Sequence, residues 1–316
     1  MKKLNYLLFV LLLFISGHAL GQASIVAGGT YTQDFTSLGT TAAATLPTGW
    51  KVDKNTTVRS VGAYSSAVSV TDNSTTYNTA MSTTASNGIY NFGGSSSDDR
   101  SLGGLSSSSS SKSVNMYLQL TNSGTSSISS FTINYDAERF RNGSNAAGFS
   151  LRLFYSTSGA SGSWTELASG IATFGANGDN TGATTNPMET KNISNVALSQ
   201  TVASGSSIYL AWNYAVTSGT TTSNAQALGI DNISVTAAAD IPTGIDTPEA
   251  GSVKVYVSGG KLVVSGAVAG SVIRVYTATG SAIKSVVAVG TTETIVVPAG
   301  LYLVKVGADS AKVLVK

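Results

Sequence analysis

The chain has no cysteine, and its one histidine, His18, stands close to the amino terminus. Without thiols no disulfide can staple the fold, although export would permit one. Without a second histidine no Ser-His-Asp or Cys-His nucleophile can be built downstream, and zinc sites of the usual Cys/His kind are excluded. Charge is scarce, at 11% of residues, and forms no dense basic patch of the kind nucleic acid requires. Past the first residues no apolar run is long enough for a transmembrane helix. What remains for chemistry is carboxylate pairs, Tyr, Lys, Arg and oxygen-ligated cations. Stability must come from a buried core, and 316 residues suffice for one.

What is present begins with an export signal. Met1-Lys2-Lys3 precede an uncharged apolar run from Leu7 to Ile15, followed by Ser16, Gly17, Ala19, Gly21 and Ala23. A positive start, a short apolar stretch and the Ala19-Leu20-Gly21 cleavage site predict a signal peptide over 1–21, or 1–23 if cleavage follows Ala23. The expected location is extracellular, or attached to the outer-membrane surface.

Most of the remaining chain reads as β-strand. "VNMYLQL" alternates Val114, Met116, Leu118 and Leu120 on one face with Asn115, Tyr117 and Gln119 on the other. "FSLRLFY" and "IYLAWNYAV" repeat that period of two, the signal of half-buried strands. Gly/Ser/Asn/Asp clusters punctuate the runs as turns, and "SSSSSS" at 106–111 reads as a flexible loop. No amphipathic helix is evident. The fold class is all-β: a jelly-roll-type β-sandwich over 24–238, a Pro-containing linker at 239–250, and a small Ig-like β-sandwich of about seven strands over 251–316. Charge follows this division. Residues 22–249 carry nine Lys+Arg against fourteen Asp+Glu, and residues 250–316 carry seven against two.

Two resemblances attach to these modules. "GGKLVVSG", "IRVYTATGSAI", "VPAGLYLVKV" and the terminal "KVLVK" resemble, in order and spacing, the type A C-terminal sorting domain of type IX secretion substrates from Bacteroidota. The Pro-Asn-Pro turn that usually opens that family is replaced by "GSVKVYVSGG". The resemblance implies a type IX translocon and a C-terminal signal peptidase as partners, with Gly300, Tyr302, Val304, Lys312 and Lys316 in the sorting signal. "YTQDFTSLG", "YNFGGSSSDDRSLGGL", "INYDAERFRNGS" and "ALGIDNISVT" resemble a β-sandwich accessory module of bacterial surface proteins, a class described by shape and not by an established activity.

The densest charge lies in "NYDAERFRNG", 134–143. Phe131, Ile133, Tyr135 and Ala137 are expected to face the core, with Asn134, Asp136 and Glu138 facing away. A β-bulge near Glu138 would return Phe140 to the interior. Three readings stay open. In a clasp, Asp136 and Glu138 pair with Arg100 or Arg141, and Asp98 or Asp99 with Arg139. In a glycoside hydrolase, Asp136 and Glu138 are the paired acids, about 6.6–6.8 Å apart along one strand face, within the roughly 5–9.5 Å that such chemistry uses. Some jelly-roll glycosidases align three acids on one strand; here Phe140 takes the third place. In a binding module, a glycan or cell-envelope ligand is held by Tyr117, Phe154 and Trp164 as exposed rings with Asp136, Glu138, Arg139 and Arg141 nearby. Trp212 is expected in the core and Trp50 at its edge. Calcium is the one candidate cofactor, on Asn177, Asp179 and Asn180 in "GANGDNTGATTNP" or on Asp231 near a strand end, against the alternative that these residues simply make turns. The role reached by exclusion is non-catalytic binding or adhesion, with a hydrolase or a structural coat protein as alternatives.

Overall fold

A computed structural model describes residues 22–74, 85–94, 99–182, 187–238 and 253–316. The signal segment 1–21, the linker 239–250 and Asp98 lie outside these residues. The chain divides into two compact units, Met1–Asp240 and Ile241–Lys316.

The described strands of the first unit are β1 (Ser24–Ile25), β2 (Thr30–Gln33), β3 (Trp50–Asn55), β4 (Asn73–Ser74), β5 (Gly88–Gly93), β6 (Arg100–Leu105), β7 (Ser113–Asn122), β8 (Phe131–Arg141), β9 (Phe149–Ser156), β10 (Thr165–Phe174), β11 (Glu189–Leu198), β12 (Ser207–Val216) and β13 (Ala227–Ala237). One sheet runs β7-β12-β9-β10, with β1 and β3 sharing the outer edge of β7. The other runs β11-β8-β13-β6-β5-β4, with β2 also on β13. From β6 onward successive strands alternate between the sheets, except at the β9–β10 hairpin. That alternation is a jelly roll, as expected.

The inner faces carry the apolar set of each period-two strand. Val114, Met116, Leu118 and Leu120 meet Ile133, Tyr135, Ile230 and Val235 in one core. Its centre is aromatic. Trp50 stacks on Trp212 at 5.5 Å between ring centroids, with Phe35 and Tyr135 edge-on at 4.8 and 5.8 Å. Trp50 is therefore inside the core and not at its edge. Gly104 permits the close approach of the sheets, because a Cβ there would lie 2.7 Å from a Val114 methyl. The serine run is not loose. The Ser107 hydroxyl accepts the N–H groups of Ser109, Ser110 and Ser111, and the buried Ser111 hydroxyl donates to Asn87.

The second unit has seven strands among the described residues: β14 (Lys254–Ser258), β15 (Lys261–Ser265), β16 (Val272–Thr277), β17 (Ala282–Val287), β18 (Thr292–Ile295), β19 (Gly300–Val306) and β20 (Asp309–Val315). They form sheets β14-β15-β18 and β17-β16-β19-β20, an Ig-like sandwich. Leu262, Val264, Ile273, Val275, Tyr302, Val304 and Val306 fill its core.

Truncating the central stack should be costly. Trp212→Ala is expected to destabilise the first unit by about 3–5 kcal/mol, read as a lower denaturant midpoint by circular dichroism. A midpoint within error of the parent would remove the Trp50–Trp212 stack as the centre of the core.

Candidate functional site

The charged stretch lies on β8, and the bulge falls at Phe140: Arg141 pairs with Ala227 while Arg139 pairs with Leu228. Phe140 is buried, but not between the sheets. It stacks on Phe92 at 4.4 Å, and Phe92 on Tyr90 at 5.0 Å. Phe92 is the register partner of Ser101, whose hydroxyl donates to Glu138, so this stack lies on the acidic face of its sheet. Gly229, opposite Glu138, makes room; a Cβ there would sit 3.1–3.2 Å from Phe92, Ser101 and Phe140.

The acids are held by neutral donors and not by the expected arginines. Glu138 accepts the hydroxyls of Ser101 and Thr190. Asp136 accepts the side-chain amides of Asn192 and Asn232. Arg139 pairs with Glu189, its register partner on β11, at 2.8 Å. Arg141 donates to the carbonyls of Asn142 and Ala225. Arg100 is buried against Asn91 and the Gly94 carbonyl. The guanidinium–carboxylate clasp on Asp136 and Glu138 is thus replaced by an amide and hydroxyl clasp.

Asp231 joins this face from inside β13, directly opposite Asp136, and not from a strand end. It is 1% exposed, and its Oδ1 has no hydrogen-bond partner among the described residues. Burial pushes the Glu138 carboxyl up to about 7, against the Ser101 hydrogen bond, with Asp99 and Asp136 adding to the rise. Burial likewise pushes Asp231 up to about 8, against the Asn232 N–H, with Glu138, Asp99 and Asp34 adding. Glu138 is thus buried and bound by hydroxyls, while Asp136 is half-buried and bound by amides.

The aromatic candidates do converge, but as packing. Tyr117, 0% exposed, forms a small cluster with Ala67 and Ala211, joined by Val61, Tyr64, Phe154 and Trp164. The segment that runs from β3 to the short turn Tyr64–Ser66 lies across this outer face of the β7 sheet. Tyr117 Oη donates to Asp53 Oδ2 and accepts the Gly62 N–H, each at 2.8 Å, and Trp164 Nε1 donates to the Gly62 carbonyl at 2.8 Å. Tyr117 is not an open platform.

The side chains of the candidate calcium loop are engaged with neighbouring residues. Asn177 Oδ1 accepts from Gly143 N and Gln226 Nε2, and Asn180 Oδ1 accepts from Ser144 N and Oγ. Asp179 Oδ1 accepts from Asn142 Nδ2 and from the Thr181 N–H and hydroxyl, which hold its carboxyl below the usual value. These side chains tie two loops together, as the turn-forming alternative has it. Asp231 is not among them. Among the described residues no three His, Asp or Glu side chains converge as a metal site needs.

A further aromatic pair, Tyr64 with Tyr209, is one that alternation alone does not single out. Tyr64 and Tyr209 are half-buried, with ring centroids 5.2 Å apart. Burial and the nearby Tyr209 push the Tyr64 phenol up to about 12. Tyr64 Oη donates to the Gly49 carbonyl, and its backbone N–H bonds the Gly159 carbonyl. Gly159 itself lies flat on the Tyr209 ring; a Cβ would come within 2.8 Å of it. On one side of the pair is a pocket of about 400 Å³ lined by Pro47, Thr48, Lys51, Tyr64, Ser69 and Gln119, among others. On the other side is one of about 460 Å³, lined by Thr157, Thr201, Ser206, Ser207 and Tyr209 with two small apolar residues. Gln119 pairs with Tyr209 in register and donates to Ser207 at 3.1 Å, so a polar bridge links the two. Lys51 Nζ sits 4.7 Å from the Tyr64 ring centroid. A third pocket, of about 440 Å³ between loops 144–147 and 218–224, offers only small and amide side chains. The sequence signal for the pair is Tyr209, which stands on the polar face of "IYLAWNYAV" beside Ala211 and Asn213.

In the second unit Tyr302 and Val304 are core residues, and the Tyr302 hydroxyl donates to the Pro298 carbonyl. Lys312 and Lys316 lie outside that core, and Lys316 is exposed.

The raised carboxyls make a pH prediction. Both hold a proton in the folded state where the unfolded chain has released it, so protonation supports the fold. That support is complete below about pH 4 and is lost as pH rises through about 7 and 8. The melting temperature should fall from pH 5 to pH 8. Glu138→Gln should fall less and end about 2–4 °C above the parent at pH 8. Parallel profiles for parent and variant would show that Glu138 does not hold the proton.

No protein-family model matches the chain, and no curated protein does. Solved structures share a loose likeness. The K3 cleaved adhesin domain of Lys-gingipain from Porphyromonas gingivalis is 11% identical over 65% of this chain and 98% of its own, with a TM-score of 0.34. The adhesin domain of Epf from Streptococcus pyogenes is 11% identical over 90% and 95%, at 0.31. The mosquito-larvicidal Cry4Aa toxin from Bacillus thuringiensis is 13% identical over 68% and 25%, at 0.30. At these scores the likeness fixes neither fold nor function.

Proposed function

We propose that the chain is a secreted, surface-displayed, non-catalytic binding module of adhesive type, whose jelly roll holds a glycan or other polyhydroxylated cell-envelope ligand across Tyr64 and Tyr209. The observation that carries this reading is the half-exposed tyrosine pair between two pockets, bridged by Gln119 and Ser207. A sugar ring has an apolar C–H face that packs on an aromatic ring and a hydroxyl rim that needs amide and hydroxyl partners; concave sites with a few fixed polar groups supply both. The second unit acts as the type IX sorting domain. Leu301, Leu303 and Leu314 are exposed on β19 and β20 beside Lys305 and Lys312, a mixed apolar and basic face suited to contact with a translocon partner. Cleavage of the signal after Gly21 suits the fold better than cleavage after Ala23, because Ala23 is buried and its carbonyl accepts the Thr121 N–H at 2.9 Å.

On a glycan array the mature chain should retain at least one polysaccharide, and Tyr209→Ala should weaken that binding about tenfold, the equivalent of ~1.4 kcal/mol, with an unchanged circular dichroism spectrum. Retention that survives Tyr209→Ala would move the site elsewhere, and an array without any retained glycan would remove the reading. In a host with type IX machinery, deletion of 251–316 should trap the protein in the periplasm. Normal display of that deletion would refute the sorting role.

A further inference from the structure

We infer that the groove selects acidic sugars over neutral ones through Lys51; this rests on the glycan-binding reading above and names its ligand class. Most cations of the first unit are committed. Lys54 pairs with Asp72, Arg139 and Lys191 with Glu189, and Arg152 with Glu166. Arg59 and Arg141 donate to backbone carbonyls. Lys51 has no ion pair or hydrogen bond among the described residues, and it lines the pocket beside Tyr64. The nearest carboxyl on its own strand, Asp53, is bound by Asn115 Nδ2 at 2.7 Å and by the Tyr117 hydroxyl. Those bonds draw it toward β7 and under the covering segment.

The cation is also held in place. An ammonium over a tyrosine face is attracted by the ring quadrupole, which orders a side chain that is otherwise a mobile, strongly hydrated point charge. A hexuronic acid has the matching parts: a C–H face for the tyrosines and one carboxylate at its edge. The half-buried Lys51 should favour an acidic sugar by roughly twofold to fivefold, the range of a partly exposed ion pair.

The rest of the unit carries the opposite charge. Residues 22–249 hold nine cationic against fourteen acidic side chains. A polyanion therefore gains nothing from the unit as a whole, and any preference for one must be local. Removing this cation should therefore remove most of the preference.

The test uses the full mature chain with oligogalacturonate, oligomannuronate and hyaluronan oligosaccharides, each beside its carboxyl-reduced neutral twin. At least one acidic member should bind about twofold to fivefold tighter than its twin at low salt, and Lys51→Gln should remove most of that preference. Equal binding within every pair, or a preference that survives Lys51→Gln, would overturn the selectivity and leave the groove as a glycan site. No binding by any member of either kind, with the fold intact by circular dichroism, would overturn the selectivity together with the glycan reading.

Discussion

The Tyr117 hydroxyl stands between the carboxyl of Asp53 and the backbone N–H of Gly62, and the outer surface of the β7 sheet is organised around that junction. A strand's polar face is ordinarily left to water. Here the segment after β3 is laid across it, and the strand side chains stand in for the solvent that its backbone would otherwise need. Asn115 and Asn213 both donate to the Ser60 carbonyl, Ser113 Oγ accepts the Ser60 N–H, and Arg59 reaches the carbonyls of Val216 and Gly219. Burial raises Asp53 above its ordinary value, and the donors Asn115 and Tyr117 oppose the rise. The covering segment then sets Tyr64 beside Tyr209. The groove is thus a product of how the sheet's second face is closed.

The same device recurs wherever two loops must be joined without a crosslink. Asn91 donates to the carbonyls of Gly39 and Thr41, Asn122 to those of Ser126 and Val202, and Asn145 to those of Thr221 and Ser223. Gln226 holds the Gly175 carbonyl and the Phe149 N–H. A side-chain amide carries both a donor and an acceptor and no charge to desolvate. It can be buried at a cost far below that of an ion. A chain without disulfides, poor in charge and rich in Ser, Thr and Asn, therefore secures its loops through neutral hydrogen bonds.

This chemistry also decides what the sequence makes legible. Strands with one apolar face can be read from it, and so can the two sandwiches, because side chains that alternate every second residue match a pleated strand and no helix. The bulge at Phe140 is legible because the alternation slips there. The second face is not. Alternation assigns Tyr117 to the polar side and says nothing of a cover, since the covering residues "NTTVRSVGAYSS" have no periodicity. The Tyr90–Phe92–Phe140 stack is hidden in the same way, because it depends on the space that Gly229 leaves on a neighbouring strand. Asn177, Asp179 and Asn180 read as candidate ligands because oxygen-rich turns look alike whether they hold a cation or a neighbouring loop. Tyr64 and Tyr209 are far apart in sequence, and only the fold brings them together.

The acidic face bears on the groove through charge alone. The formal balance of residues 22–249 counts Glu138 and Asp231 as ionised, yet burial raises them to about 7 and about 8. Near neutral pH part of that negative charge is absent, and the more so as pH falls. The repulsion that an anionic ligand meets is correspondingly weaker than the composition implies. A local cation is then opposed by less negative charge than the formula of the unit gives.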